Sequence, residues 1–454
     1  MTTLELVLIT VLSVAFLLVM VLRLKIHAFI SLILVSVLVG LFTGMDFEQV
    51  LISVQEGMAG VMGYIAIVVG IGAIFGEILQ DTGGVESLAK SMLKKFGEKK
   101  TSWALMTSGF LIAIPVFFEV GFIILVPMAF ALARKTGKSV LFYAIPMMAG
   151  LAVTHAFIPP TPGPIAVAQI IDVPLGWIII FGFIIGFPTA IVAGIWFGKY
   201  IAKKVYIPPP EIDPDLKDIT GDDKKDLPSY QWVIFLIALP LLLILIRTLI
   251  ELGYSEEWFG KSFGLDALMF LGHPFMALML ATLLAGYMMG IRRGYSSQQI
   301  MRVANAALSP AGLIILVTGA GGVFKQVLVD SGVGESLASM LTTYQISPVI
   351  LAYIISIVVR VTQESATVAM ITAAGMIAPV VEVLGFSDMD KSLIVIAIAA
   401  GSTMLSHVND SGFWLVGKYL NMTEKQTLRT WTVMEPIISA FSFIIVMILA
   451  WIFG

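Results

Sequence analysis

The chain has 454 residues, of which 58% are hydrophobic and 13% charged, with a formal net charge of −3. Soluble domains carry about 25% charged residues, so the composition is that of an all-α polytopic membrane protein surrounded by a lipid bilayer. The absence of cysteine excludes a disulfide framework, a thiolate nucleophile and a cysteine-based metal site. No Gly-x-x-x-x-Gly-Lys-Ser/Thr loop occurs, and nothing points to ATP hydrolysis. No cofactor, metal or nucleic-acid partner is expected.

Met1 to Leu6 has no basic run, and residues 4–22 read as a retained first span instead of a signal peptide. Further apolar runs long enough to span lie near 28–45, 57–79, 139–158, 174–198, 229–250, 267–290, 308–328, 391–408 and 431–453. That makes ten transmembrane helices. Gly70-Ile-Gly-Ala-Ile-Phe-Gly76 mimics part of a dinucleotide fingerprint. It lies inside an apolar run without a βαβ context, so close helix packing is the expectation. Regions 101–133 and 346–382 are interrupted by Glu119 and by Arg360 with Glu364. Each is long for one span and short for two, which predicts two re-entrant hairpins. The Pro208–Pro210 run opens a polar segment, 203–228, read as a flexible cytoplasmic linker between halves 1–202 and 229–454.

The halves are related. Shifting by 249 positions places Gly70–Ala89 on Gly319–Ala338 with ten of twenty pairs identical, among them Asp81/Asp330 and Gly83/Gly332. Further on, Glu119 meets Glu364 and His155 meets His407. Residues 81–102 carry five lysines, whereas 330–347 carry no Lys or Arg. With basic loops facing the cytoplasm, the first hairpin enters from inside and the second from outside. Five spans per half also require the second half to be upside down. The expectation is an inverted repeat with both termini extracellular or periplasmic.

Inverted-repeat transporters bind near the midplane with interrupted helices. Four interruptions stand out: Pro115–Gly121, Thr154–Pro164, Arg360–Thr367 and Ser406–Gly412. Four prolines within Pro159–Pro164 cannot continue a helix. Half-helix N-termini suit a carboxylate, and open carbonyls and hydroxyls suit a polyol or a cation. Candidate substrate-binding residues are Thr161, Gly163, Thr362, Gln363, Ser365, Thr367, Asn409, Asp410 and Ser411. Candidate proton-coupling residues are Glu119, Glu364, His155 and His407, since acids at bilayer depth default to function. Each has a structural alternative: the glutamates could pair with Arg360, and the histidines could be hydrogen-bonded core groups. Arg360 could instead attract a substrate carboxylate.

The strings Ile114-Pro-Val-Phe-Phe-Glu-Val-Gly-Phe122, His155-Ala-Phe-Ile-Pro-Pro-Thr-Pro-Gly-Pro164, Gln363-Glu-Ser-Ala-Thr-Val-Ala369 and Ser406-His-Val-Asn-Asp-Ser-Gly-Phe-Trp414 resemble the gluconate permease family. So does Thr430-Trp-Thr-Val-Met-Glu435. The resemblance runs from about residue 4 to 453 and reaches the wider ion-transporter superfamily. It implies proton-coupled symport of gluconate or a related hydroxy-carboxylate in a bacterial inner membrane. It also implies a homodimer with an elevator-like transport domain. Two positions depart from the family pattern: Thr161 stands where a histidine often follows the double proline, and Glu364 where a glycine often follows the glutamine. The alternatives are a cation/proton antiporter of the same fold and a membrane-embedded acid–base enzyme.

Overall fold

The computed structural model describes residues 2–210, 227–362, 365–408 and 410–453. Gln363, Glu364, Asn409 and the side chain of Thr362 lie outside the described residues, as does the 211–226 part of the linker. No strand occurs among the described residues. Helices α1 (Thr3–Leu22) and α2 (Ala28–Phe42) lead to the long α3 (Phe47–Asp81). Then come α4 (Gly84–Phe96), α5 (Thr101–Ile112), α6 (Phe118–Thr136), α7 (Leu141–Phe157), α8 (Pro162–Ile171) and α9 (Leu175–Ala190). A π-helical turn joins α9 to α10 (Phe197–Lys204). Beyond the linker are α11 (Tyr230–Ser255), α12 (Phe263–Leu271), α13 (Pro274–Ala285) and α14 (Ser297–Asp330). The chain ends with α15 (Val333–Tyr344), α16 (Pro348–Thr362), α17 (Ala366–Leu384), α18 (Asp388–Ser402), α19 (Ser411–Tyr419) and α20 (Glu424–Phe453).

Long apolar runs become helices because only a helix satisfies its own N–H and C=O groups without water. Capping boxes at Thr2/Glu5 and Ser296/Gln299 start α1 and α14. Each of the ten expected runs falls on a helix. Among the described residues eight helices are long and apolar enough to cross a membrane, or nine with the α15–α16 pair, which is bent by 118°. The lower count arises at α2 and α18, of 15 residues each, and at α1, whose apolar stretch is Leu8–Val21. One arm of the second expected hairpin, α17, is itself among the eight. It reaches 19 residues because Ser365 caps its start and Gly385, at φ +64, ends it. That arm is longer than its apolar run suggests. In both interrupted regions the paired helices, α5 with α6 and α16 with α17, pack on each other across the break.

Helices α7 and α8 are buried along almost their whole length, and α17 and α18 pack beside them. Around this centre α3 crosses α14 at close range. A Cβ on Gly57 would lie 2.7 Å from the Gly322 carbonyl oxygen, and one on Gly322 would lie 2.5 Å from that of Gly57. Small residues let helix backbones approach where lipid offers no hydrophobic drive to association. The outward faces of α1, α11, α13 and α20 carry exposed Leu, Ile, Phe and Trp side chains that suit lipid.

The helix order from α3 to α9 recurs from α14 to α20. Crossings recur too. Gly150 of α7 sits against the Met106 carbonyl of α5, and Gly401 of α18 sits against the Tyr353 carbonyl of α16. The linker's described ends are tied to the first half. Ser139 donates to the Val205 carbonyl and accepts from the Ile207 N–H, while Ser87 donates to the Pro228 carbonyl.

The α3–α14 crossing gives a sharp expectation. Gly322→Leu overpacks it and should cost about 1–3 kcal/mol of stability. Gly63→Leu, where a Cβ meets nothing within 4 Å, should be neutral or mildly stabilising. Thermal unfolding in detergent compares the two, and equal behaviour would contradict the close crossing.

Candidate functional site

Each interruption opens backbone groups inside the protein, and each is closed by specific partners. In the first break, between α7 and α8, the Thr161 hydroxyl donates to the Ile158 carbonyl at 2.6 Å. Pro162 then starts α8 where a missing N–H costs nothing. The second break, between α18 and α19, is held by side chains from several helices. Trp431 Nε1 donates to Ser406 Oγ, and the Thr432 hydroxyl donates to the Ser406 carbonyl, both at 2.6 Å. Asp410 Oδ1 accepts the Gly412 N–H at 2.8 Å and so caps α19. Its Oδ2 pairs with the Arg360 guanidinium from the last turn of α16. Beside this pair, His407 Nε2 lies 3.3 Å from the Val361 carbonyl. The second tip and the second break are therefore fastened together.

Two cavities meet at this place. The smaller, of about 140 Å³, is enclosed by Arg360, Asp410 and Ser411 on one side and by Glu119, His155 and Trp431 on the other. The larger, of about 450 Å³, runs from Glu119, His155, Ser365 and Thr367 towards Glu77 and Gln80 of α3 and Pro310 of α14. The N-terminal turns of α6, α17 and α19 all border the smaller cavity, through Glu119, Thr367 and Ser411. Ser365 and Asp410 take one N–H each, at Val368 and Gly412, and the remaining first-turn N–H groups and positive dipole ends favour an anion there. Arg360 and Asp410 are 3% and 8% exposed, which puts a desolvated ion pair on the cavity wall.

The sequence-based candidates divide accordingly. Ser365, Thr367, Asp410, Ser411, Glu119 and His155 are brought together around the two cavities. Thr161 and Gly163 line neither. The Thr161 hydroxyl is spent on its own break, and Gly163 packs against Met370, whose sulfur would lie 2.9 Å from an added Cβ. His407 also lines neither cavity. Arg360, weighed as a partner of Glu119 or Glu364, pairs with Asp410 across 50 residues of sequence.

Glu435 was missed as a site residue. It lines the smaller cavity and is 4% exposed. The signal was available, because the acid stands inside the apolar run 431–453, and α20 carries it three turns in from its start at Glu424.

The model of the GntP family permeases matches residues 5–452. The chain belongs to this family. It is 41% identical over 455 residues to the low-affinity gluconate transporter of Escherichia coli, covering 99% of both chains. It is 38% identical over 435 residues to the gluconate permease of Pseudomonas aeruginosa, covering 96% of this chain and 95% of that one. It is also 38% identical over 428 residues to the Gnt-II system L-idonate transporter of E. coli, covering 94% and 95%. Among solved structures, the YdaH transporter of Alcanivorax borkumensis superposes with a TM-score of 0.65 at 14% identity, over 93% of this chain and 97% of that one. That likeness concerns the fold. The GntP permease is thus a multi-pass membrane protein whose interrupted helices converge on one polar centre.

Removing one member of a buried ion pair leaves the other charge uncompensated, at a cost of about 3–5 kcal/mol. Asp410→Asn keeps an N-cap for α19 but removes the charge that pairs with Arg360. Asp410→Ala loses the cap as well, which adds about 1 kcal/mol. Chemical denaturation in detergent should rank parent, Asp410→Asn and Asp410→Ala in falling order. A parent-like Asp410→Asn would contradict the role given to the pair.

Proposed function

We propose that this GntP permease is a secondary active transporter that takes up gluconate or a related small hydroxy-carboxylate together with protons. The observation that carries the reading is the polar cavity itself. A guanidinium and three helix N-termini, charges and dipoles suited to a carboxylate, border a space that also presents the hydroxyl-bearing Ser365, Thr367 and Ser411. Relatives named for gluconate and L-idonate transport support a polyhydroxy acid as the substrate. In this reading the carboxylate lies against the N-termini of α17 and α19, and its hydroxyls meet Ser365, Thr367 and Ser411. Thr362, Gln363 and Asn409, placed by sequence in the same loops, would complete the lining. Glu119 and His155 pass protons between the two cavities, and Glu364 and His407 are the further candidates for proton coupling.

The halves 1–202 and 229–454, joined by the cytoplasmic linker 203–228, are inverted repeats of one another. Both termini face the periplasm of a bacterial inner membrane, and the working unit is a homodimer. On this orientation Gln80, which lines the larger cavity, stands at the end of α3 that leads into the lysine-rich stretch from Lys90 to Lys100, and the larger cavity leads towards the cytoplasm. The substrate leaves chemically unchanged, as in a transporter and not an enzyme.

Proteoliposomes holding the purified protein should accumulate labelled gluconate when an inward proton gradient is imposed. Glu119→Gln should reduce gradient-driven accumulation by at least about tenfold, since a positioned proton carrier contributes on this order. Uptake that ignores the pH gradient and follows Na⁺ would overturn proton coupling. Proton flux driven by Na⁺ without any carboxylate would favour an antiporter.

A further inference from the structure

Glu435 belongs to neither a tip nor a break, yet it reaches the same cavity. Its Oε1 is buried without a hydrogen-bond partner, and the whole residue is 4% exposed. Arg360 of α16 and Asp410, from the segment before α19, border this cavity. Glu119 of α6 and His155 of α7 line the cavity with it. Helices α18 and α9 also pack against α20 but bring no charged side chain or histidine to this cavity. Lys418 stands at the far end of α19.

The charge count then matters. Among the described residues, Arg360 is the one lysine or arginine lining this cavity, and it pairs with Asp410. An ionised Glu435 adds another carboxylate to a desolvated wall that already carries Asp410 and Glu119, and an incoming organic anion would add a further negative charge. In such surroundings an unmatched carboxylate is unfavourable by several kcal/mol. One proton on Glu435 removes the excess and turns its unpartnered oxygen into a group able to donate to an anion. We propose that Glu435 is the proton-binding group whose protonation admits the substrate carboxylate and whose deprotonation expels it. This rests on the transport function proposed above and adds the residue at which anion and proton are linked.

The test reads substrate affinity against pH in the full-length protein in detergent, with gluconate as the probe and thermal stabilisation as the signal. The parent dissociation constant should rise with pH, approaching about tenfold per pH unit, as expected when one proton must be bound. Glu435→Gln is permanently neutral. Its dissociation constant should stay within about twofold across the same range, by the same linkage. In proteoliposomes this variant should exchange gluconate across the membrane yet fail to accumulate it under a proton gradient. A purely structural glutamate would not flatten the pH profile. If Glu435→Gln does not fold, Glu435→Asp decides: a titrating group displaces the pH at which affinity falls, while a bystander leaves it unchanged. A Glu435→Gln profile parallel to the parent overturns this inference alone. A parent that neither binds nor transports gluconate overturns the functional reading itself.

Discussion

A guanidinium placed at membrane depth must find an anion inside the protein, and here it finds Asp410. That single pairing ties the last turn of α16 to the cap of α19 and so determines where two interrupted helices end. Neither interruption is stable alone. Open carbonyls of the second break are closed by Trp414 of α19 and Thr432 of α20, while His407 of the break itself reaches the Val361 carbonyl of α16. The cavity exists because those backbone groups are satisfied from the sides, leaving the helix N-termini to face inward. An ion pair of this kind contributes little net stability, since desolvation offsets most of the attraction. What it supplies is position.

The two halves share a helix order and the same glycine-based crossings, yet their centres differ chemically. The first break is closed by one threonine hydroxyl on a neighbouring carbonyl and surrounded by apolar packing. Its tip presents Phe117 and Phe118, whose rings meet His155 and Trp431 at centroid distances of 6.0 and 5.1 Å. The second break holds the ion pair, the tryptophan anchor and the polar lining. Within a shared helix order, the ion pair and the polar lining lie in the second half and a mostly apolar wall with Glu119 lies in the first. The Gly57–Gly322 crossing lets the long α3 and α14 lie close enough for both to border the larger cavity.

Much of this was legible in the sequence because the bilayer imposes strict rules. Apolar runs announced the helices, and prolines and buried charges announced the breaks, at Thr154–Pro164 and around Glu119, Arg360 and Asp410. Partners were less legible. For Arg360 the sequence offers Glu364, four positions on and outside the described residues, and the repeat-related Glu119, because sequence spacing favours near contacts. The pairing with Asp410, 50 residues away, shows only once α18 and α19 are folded back onto α16. Thr161 read as a ligand for a similar reason: a hydroxyl in a break looks available until the carbonyl three residues earlier claims it. Glu435 belongs to neither a tip nor a break, and an acid within a continuous helix gives no sign in sequence of which cavity it lines until α20 is packed beside α16 and α19.

The central claim is that the Arg360–Asp410 wall and the surrounding helix N-termini form the carboxylate site. A structure of the protein with gluconate bound tests it most directly. The carboxylate should lie within hydrogen-bonding reach of Arg360 and of the first N–H groups of α17 or α19, with the polyol chain passing Ser365 and Thr367. Gluconate found away from this wall, for instance between Lys325 and Lys391 in the separate polar cavity beside α8, would contradict it.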